Sequence, residues 1–216
     1  IIGAGLSSCR DALPGPCDCD GQPSGKKCRE VRYEQDDYIG FIDFRYNEEG
    51  RLHEQAWNPV AGTPKVSTYE YGANGKAIHE RISYPGREGE AQWDFEYNEA
   101  DSLLKASYYE NGQLKRVIQY EYTQANLLIS KSFAEGGLIT SRLHYTYDAN
   151  NRLWRLAETD RDHRLLREEY YTYYGNFTER VEMFDSNSVY LGYRFIQRLA
   201  DQRLLEVRAY DAEDGL

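Results

Sequence analysis

The stretch Tyr145-Thr146-Tyr147-Asp148-Ala149-Asn150-Asn151-Arg152-Leu153 decides the fold of this chain. It opens on an aromatic-x-Tyr pair, passes through a short polar segment, and restarts on a basic residue and a leucine. The aromatic-x-Tyr pair recurs at Phe44/Tyr46, Tyr69/Tyr71, Phe95/Tyr97, Tyr120/Tyr122, Tyr145/Tyr147 and Tyr171/Tyr173, at spacings of 25, 26, 25, 25 and 26 residues. Tyr46 to Leu52 reads YNEEGRL, Tyr71 to Ala77 reads YGANGKA, and Tyr210 to Leu216 reads YDAEDGL. Regular self-similarity on this scale marks an array of small structural units, each burying its surface against the next.

Each unit divides in two. Midway between signatures lie Tyr109 to Leu114 (YENGQL), Phe133 to Leu138 (FAEGGL) and Asp160 to Leu165 (DRDHRL). The elementary piece is one strand and one turn. Asn74-Gly75, Asn111-Gly112 and Gly136-Gly137 supply the positive φ that tight hairpin turns require. Between turns the side chains alternate. One face of Ile139 to Tyr147 carries Ile139, Ser141, Leu143, Tyr145 and Tyr147, and the other carries Thr140, Arg142, His144 and Thr146. Leu127, Ile129, Lys131 and Phe133 share a face of the preceding segment in the same way. A period of two residues is that of a strand, and short turns make neighbouring strands antiparallel. The expectation is all-β: an antiparallel β-hairpin repeat meander of about thirteen to fifteen strands from residue 29 onward, in an open curled or spiral sheet. Pro59, Pro64 and Pro85 fall in candidate turns, and no proline follows Pro85. Asp101 to Lys105 mimics a helix start but falls where the repeat requires a turn and restart.

Composition agrees with a thin sheet. Leu, Ile, Val and Phe make up only about 20% of the chain, a level typical of disordered sequences, yet the chain carries 20 Tyr, which disordered sequences rarely do. Charges stand at mid-strand, at Arg116, Arg142, Arg155, Arg167, Glu169, Arg180 and Arg194. A two-sheet sandwich would bury many of them, whereas a single wetted sheet lets them pair across strands for roughly 0.2–1 kcal/mol each. The net charge of −10 repels phosphate and speaks against a nucleic-acid partner. No run approaches the roughly 20 apolar residues of a helical membrane span.

The first 27 residues differ in kind. Leu6-Ser7-Ser8-Cys9 resembles the lipobox of bacterial lipoproteins. The resemblance implies that Ile1 to Ser8 are the tail of a signal peptide and that Cys9 carries a lipid anchoring the protein to a membrane of the bacterial cell envelope. The alternative is an ordinary apolar strand with a buried cysteine. Residues 9–27 read as a Cys-, Pro- and Gly-rich linker, and residues 28–216 as the repeat domain. Cys17, Cys19 and Cys28 leave three readings open: Cys28 paired with Cys17 or Cys19, free thiols, or a zinc site lacking its fourth ligand. Asp18-Cys19-Asp20-Gly21 has the start of a calcium loop without its remainder. No initiator Met is present, and the C-terminal YDAEDGL stops in mid-repeat, as in a piece of a longer chain.

YDANNRL, YNEEGRL and YDAEDGL resemble the YD repeat of the RHS superfamily, a Tyr-Asp motif followed by Gly-Arg-Leu. Tyr108 to Leu114 is also similar to MORN-like hairpin repeats. The YD likeness extends over nearly all of residues 28–216, but the Asp is kept only at Asp148 and Asp211, with Asn47, Gly72, Asn98, Thr123 and Tyr174 elsewhere. Full RHS proteins form large shells around toxins, and this chain has too few repeats for one. Lipobox, linker and hairpin repeats together are similar to small Bacteroidota envelope lipoproteins.

Catalytic chemistry is not apparent. His53 and His79 lie 26 residues apart, so the repeat sets them at one level, where a metal or catalytic pair is conceivable beside the plainer reading of two surface positions. The abundant carboxylates single out no glycosidase dyad. Trp57, Trp93 and Trp154 suit either a carbohydrate-stacking surface or the apolar face of the sheet. Asp101-Ser102-Leu103 matches a short bacterial O-glycosylation pattern, and Asn176-Phe177-Thr178 is a sequon meaningful only in a eukaryote. The expectation is a non-enzymatic, lipid-anchored envelope protein, without cofactor or metal, whose repeat surface binds a glycan or a protein. The alternatives are a shell or spacer fragment of a longer RHS-like protein and an envelope glycan hydrolase.

Overall fold

The computed structural model describes residues 28–34, 37–175, 178–199 and 204–211. Every described element is a strand. The first eight are β1 (Arg29–Glu34), β2 (Asp37–Tyr46), β3 (Leu52–Pro59), β4 (Lys65–Tyr71), β5 (Ala77–Ser83), β6 (Glu90–Tyr97), β7 (Leu103–Glu110) and β8 (Gln113–Tyr122). Then come β9 (Leu128–Glu135), β10 (Leu138–Tyr147), β11 (Leu153–Asp160), β12 (Leu165–Tyr174), β13 (Thr178–Asp185), β14 (Tyr190–Arg198) and β15 (Leu204–Asp211). They form one meander in chain order from β1 to β15. Among the described residues β1 and β15 are the two ends of this pairing order. Two compact units make it up. The first holds the described residues to Glu96 together with Ser107–Leu114, and the second holds Tyr97–Ala106 and the residues from Lys115 on.

One turn design recurs after the signatures. Asn47 N–H donates to Arg51 O, and Gly50 N–H donates back to Asn47 O. The same pair of bonds closes the turns at Gly72, Asn98, Thr123, Asp148, Asp160 and Asp185. The fourth position of each turn is left-handed: Gly50, Gly75, Asp101, Asn126, Asn151, His163 and Ser188 all have φ between 58° and 76°. The residue after the signature tyrosine is therefore a cap. The Oδ1 of Asp148 accepts the N–H groups of Asn150 and Arg152 at 2.8 and 2.9 Å. Asn47, Asn98, Asp160 and Asp185 do the same in their own turns. A short side-chain carbonyl oxygen at this position satisfies two turn amides, and this keeps Asp or Asn there. The half-unit turn at Asp160 is built like a signature turn. Asn74-Gly75 differs from the expected two-residue hairpin, since only Gly75 is left-handed, within the longer turn. Two-residue turns with both residues at positive φ occur at Asn111-Gly112 and Gly136-Gly137.

A second regularity breaks the simple alternation. Tyr46 lies across from Leu52 but Arg45 from Glu54. Likewise Tyr71 faces Ala77 and Glu70 faces His79, Tyr122 faces Leu128 and Glu121 faces Ser130, and Tyr147 faces Leu153 and Thr146 faces Arg155. Each of these four restart strands thus holds one extra residue, a β-bulge that moves the later residues of the strand to the other face, whereas β13, the restart after Tyr171/Tyr173, pairs with β12 without a shift. Leu127, which alternation groups with Lys131, lies before β9, and Leu128 takes its place opposite Tyr122. A further bulge at Thr140 sets Ile139 across from Ala134 and Ser141 across from Phe133. Ile139 therefore leaves the face of Leu143 and Tyr145 to which alternation assigns it.

Core burial is slight. Among the described residues the buried apolar ones are Ile42, Ile82, Ala91, Ala106, Ala157 and Val181, and of these only Val181 is fully enclosed. Within each unit, every strand-to-strand contact among the described residues joins chain neighbours. Pro59 is not in a turn but ends β3, across from Gly40. The next pair is bonded, Val60 N–H to Ile39 O at 3.0 Å, so the missing N–H of Pro59 is turned away from β2. The β3–β4 ladder ends at Trp57 and Lys65 before it would need that donor. Gly40 itself has φ +144°, and a Cβ there would lie 2.5 Å from Asn58 O and 2.8 Å from the Trp57 ring.

Candidate binding surface

Register separates two faces. The signature aromatics lie on one of them within each unit. Tyr69 is across from Glu80, and Glu80 from Trp93; Tyr145 is across from Leu156, and Leu156 from Glu169. On this signature face the second tyrosine of the pair reaches back over the preceding hairpin. Tyr71 OH donates to Leu52 O at 2.6 Å, Tyr122 OH to Leu103 O at 2.9 Å, Tyr147 OH to Leu128 O at 2.8 Å and Tyr173 OH to Leu153 O at 2.7 Å. The acceptor is each time the first residue of a restart strand. Basic residues lie over the rings, with Arg51 on Tyr71, Arg152 on Tyr173, and Lys131 on Tyr120 and Phe133. Burial pushes the Tyr69 phenol up to about 12, with the nearby Glu80 adding to it. Burial also raises Tyr71, Tyr97, Tyr120, Tyr122, Tyr145, Tyr147 and Tyr173. Phe44 and Tyr46 occupy the same place at the end of β2.

The opposite face of the first unit is ionic. Arg29 meets Asp43, Arg45 meets Glu54 at 3.0 Å, and Arg81 meets Glu70 at 2.9 Å. Exposed pairs of this kind fix register more than they stabilise. His79 Nδ1 lies 2.8 Å from Asp94 Oδ1, an atom shared with the Gln92 amide. Beside them is a shallow groove of about 410 Å³ lined by Arg81, Glu90, Gln92, Asp94, Tyr109 and Gly112. His53 stands on β3 and His79 on β5, with β4 between them, and no contact joins them among the described residues.

In the second unit the opposite face is aromatic from β11 to β15. Trp154, half exposed at 48%, meets the edge of Tyr170 at 5.7 Å. Tyr170 meets Phe184 at 5.7 Å, and Phe184 meets Tyr190 at 5.5 Å. Further along, Phe195 contacts Tyr174 and Tyr193, and Tyr193 stacks on Tyr210 at 4.8 Å. Glu168 lies beneath this run and is only 7% exposed. It accepts from Arg155 at 2.7–2.8 Å and from Tyr170 OH at 3.0 Å. Glu169, on the signature face and equally buried, accepts from Tyr171 OH at 2.7 Å and from Arg194 at 3.0 Å. Burial and this bond to Glu169 raise the Tyr171 phenol. The mid-strand glutamates are therefore enclosed, against the wetted positions read from sequence, because each carries its own guanidinium and hydroxyl.

The three tryptophans do not share one kind of surface. Trp57 and Trp93 lie on the signature face of the first unit, Trp57 over Gly40 and Trp93 against Phe95 and Tyr108. Trp154 lies opposite the signature face of the second unit. It directly follows Leu153, which faces Tyr147, and the bulge at this point brings Arg155 onto the same face as Trp154. Cys28 is disulfide-bonded. Cys9, Cys17 and Cys19, the lipobox, the linker and most of Asn176-Phe177-Thr178 lie outside the described residues. Among the described residues, no three His, Cys, Asp or Glu side chains gather as a metal site.

No family model matches the chain, and no curated protein matches it. Among solved structures it is similar to a porin-like protein from Bacteroides uniformis, at 12% identity and a TM-score of 0.44, over 69% of this chain and 60% of the other. It is also similar to a DUF3836 family protein from Bacteroides vulgatus, at 18% identity and a TM-score of 0.29, over 45% of this chain and 99% of the other. A third likeness is to TcdB2-TccC3 without its hypervariable C-terminal region, at 12% identity and a TM-score of 0.33, over 90% of this chain and 13% of the other.

Proposed function

We propose that this chain is a non-enzymatic binding protein of the bacterial cell envelope, tethered through a lipid on Cys9, whose repeat surface engages a glycan or a protein. The observation that carries the reading is the run Trp154, Tyr170, Phe184 and Tyr190 across β11 to β14, with the Arg155–Glu168 pair beneath it. Aromatic rings with wet edges beside fixed polar groups are what sugar stacking and protein contact both use. Glu158, Glu168, Glu169 and Glu179 on β11 to β13 each hold an arginine, which supports binding over hydrolysis at this surface. An array of envelope glycans, with a pull-down from an envelope extract, tests the reading. Trp154→Ala and Tyr170→Ala should abolish the interaction that wild type shows. Absence of any ligand in both formats, or hydrolysis of a polysaccharide abolished by one carboxylate substitution, would refute it.

A second reading has its own support. The Tyr-to-Leu bonds couple each hairpin to the one before it, as a spacer or shell segment of a longer YD-repeat protein requires. Failure of binding together with a long array of further repeats in the gene would favour that role.

A further inference from the structure

We infer that the face of β8 to β10 around Arg142 binds an oxyanion, the carboxylate or sulfate of an acidic ligand. The inference stands apart from the aromatic binding surface, since neither site contributes a residue to the other. Gln119, Ser132 and Arg142 form one row: Gln119 lies across from Ser132, and Ser132 across from Arg142. None of these three side chains has a hydrogen-bond partner among the described residues. The Nη1 of Arg142 is buried and unsatisfied. Every other strand arginine among the described residues is ion-paired with an Asp or Glu. Arg51, Arg180 and Arg194 also bury an unpartnered Nε, but each keeps a carboxylate on another nitrogen.

The row continues on β11. Thr159 lies across from Arg142, and its Oγ1 is 3.3 Å from Nε2 of His144, two residues along β10 from Arg142. With neighbouring strands about 4.8 Å apart, a guanidinium, two hydroxyls and an amide lie along roughly 15 Å of one face. By register the nearest carboxylate on β8, Glu121, belongs to the next row, across from Ser130. A buried donor left unmade costs free energy, and a guanidinium without a carboxylate presents the geometry that an oxyanion fills. In a chain of net charge −10 an uncompensated arginine set among hydroxyls is the place where an anion gains most.

The test is a titration of the whole isotope-labelled protein, monitored by NMR at constant ionic strength, with sodium sulfate in one arm and sodium glucuronate in the other. Saturable shifts confined to Gln119, Ser132, Arg142 and Thr159 are expected, with a Kd on the order of 10 mM for so small a probe. The arm that saturates first identifies sulfate or carboxylate as the preferred group. Arg142→Gln should weaken binding at least tenfold, whereas Arg116→Gln, which removes an arginine already paired with Glu135, should leave it unchanged. Shifts spread over the surface, shifts that survive Arg142→Gln in a variant with an unaltered spectrum elsewhere, or no saturation in either arm would overturn the inference. The last result would leave water as the only occupant of the row.

Discussion

Tyr145 and Tyr147 stand two residues apart on one face of β10, both half-buried aromatics, and only one of them should matter for its hydroxyl. Tyr147 OH donates to Leu128 O at 2.8 Å. Tyr145 OH has no hydrogen-bond partner among the described residues. Tyr147→Phe keeps the ring and removes one partly buried bond, a net cost of about 1 kcal/mol. Tyr145→Phe removes no bond and should cost less than about 0.5 kcal/mol. Urea unfolding monitored by circular dichroism measures both. Because contacts within a unit run only between chain neighbours, the loss should also be local. Amide exchange in β9 and β10 should quicken about fivefold, the factor that 1 kcal/mol represents, while β13 to β15 keep their protection. Equal costs for the two variants would show that the hydroxyl ladder is incidental. A uniform loss of protection from β8 to β15 would refute local coupling and place the second unit among ordinary two-state domains.

Three further outcomes are expected. Asn98→Ala, which strips the cap from Ala100 and Ser102 N–H, should cost about 1 kcal/mol in urea unfolding, while Asn98→Asp stays within about 0.5 kcal/mol because Asp148 makes the same bonds. Gly40→Ala sets a methyl against Asn58 O and the Trp57 ring and should cost about 2 kcal/mol or more, read as a lowered thermal midpoint. The buried tyrosines hold their protons to higher pH in the folded than in the unfolded chain. Their contribution is therefore full below about pH 10, the unfolded value, and is lost as pH rises toward 12, where Tyr69 ionises. Phenolate absorbance should then rise together with loss of β-structure, and ionisation of all tyrosines near pH 10 with the fold intact would contradict the burial.

The strand count, the antiparallel order and the turn positions come from the signature spacing, because turn chemistry and a two-residue period are local properties of the chain. Asp101 shows this well: it sits at positive φ in a turn where helix-like composition would mislead. What spacing does not carry is the extra residue after the signatures at Tyr46, Tyr71, Tyr122 and Tyr147, since a bulge is a matter of pairing between strands. Straight alternation from Leu153 puts Leu156 on the wrong side for that reason, and the separate bulge at Thr140 does the same to Ile139. The buried glutamates are likewise hidden. Glu169 read alone is a solvent residue; Tyr171 is its neighbour two residues along β12, but only register brings Arg194 onto it. The unpaired row at Gln119, Ser132 and Arg142 is a property of three strands at once, and no stretch of sequence displays it.

The Tyr-to-Leu bond also limits how such a gene changes length. Loss or gain of one hairpin brings a new tyrosine over a new restart leucine in the same direction, and the bond re-forms. Loss of a single strand reverses the direction of every strand after it and carries the tyrosine to the far edge of the sheet, away from any such carbonyl. Unequal recombination in this locus should therefore be tolerated in steps of about 25 residues and selected against in steps of half that size, so that natural variants differ by whole hairpins.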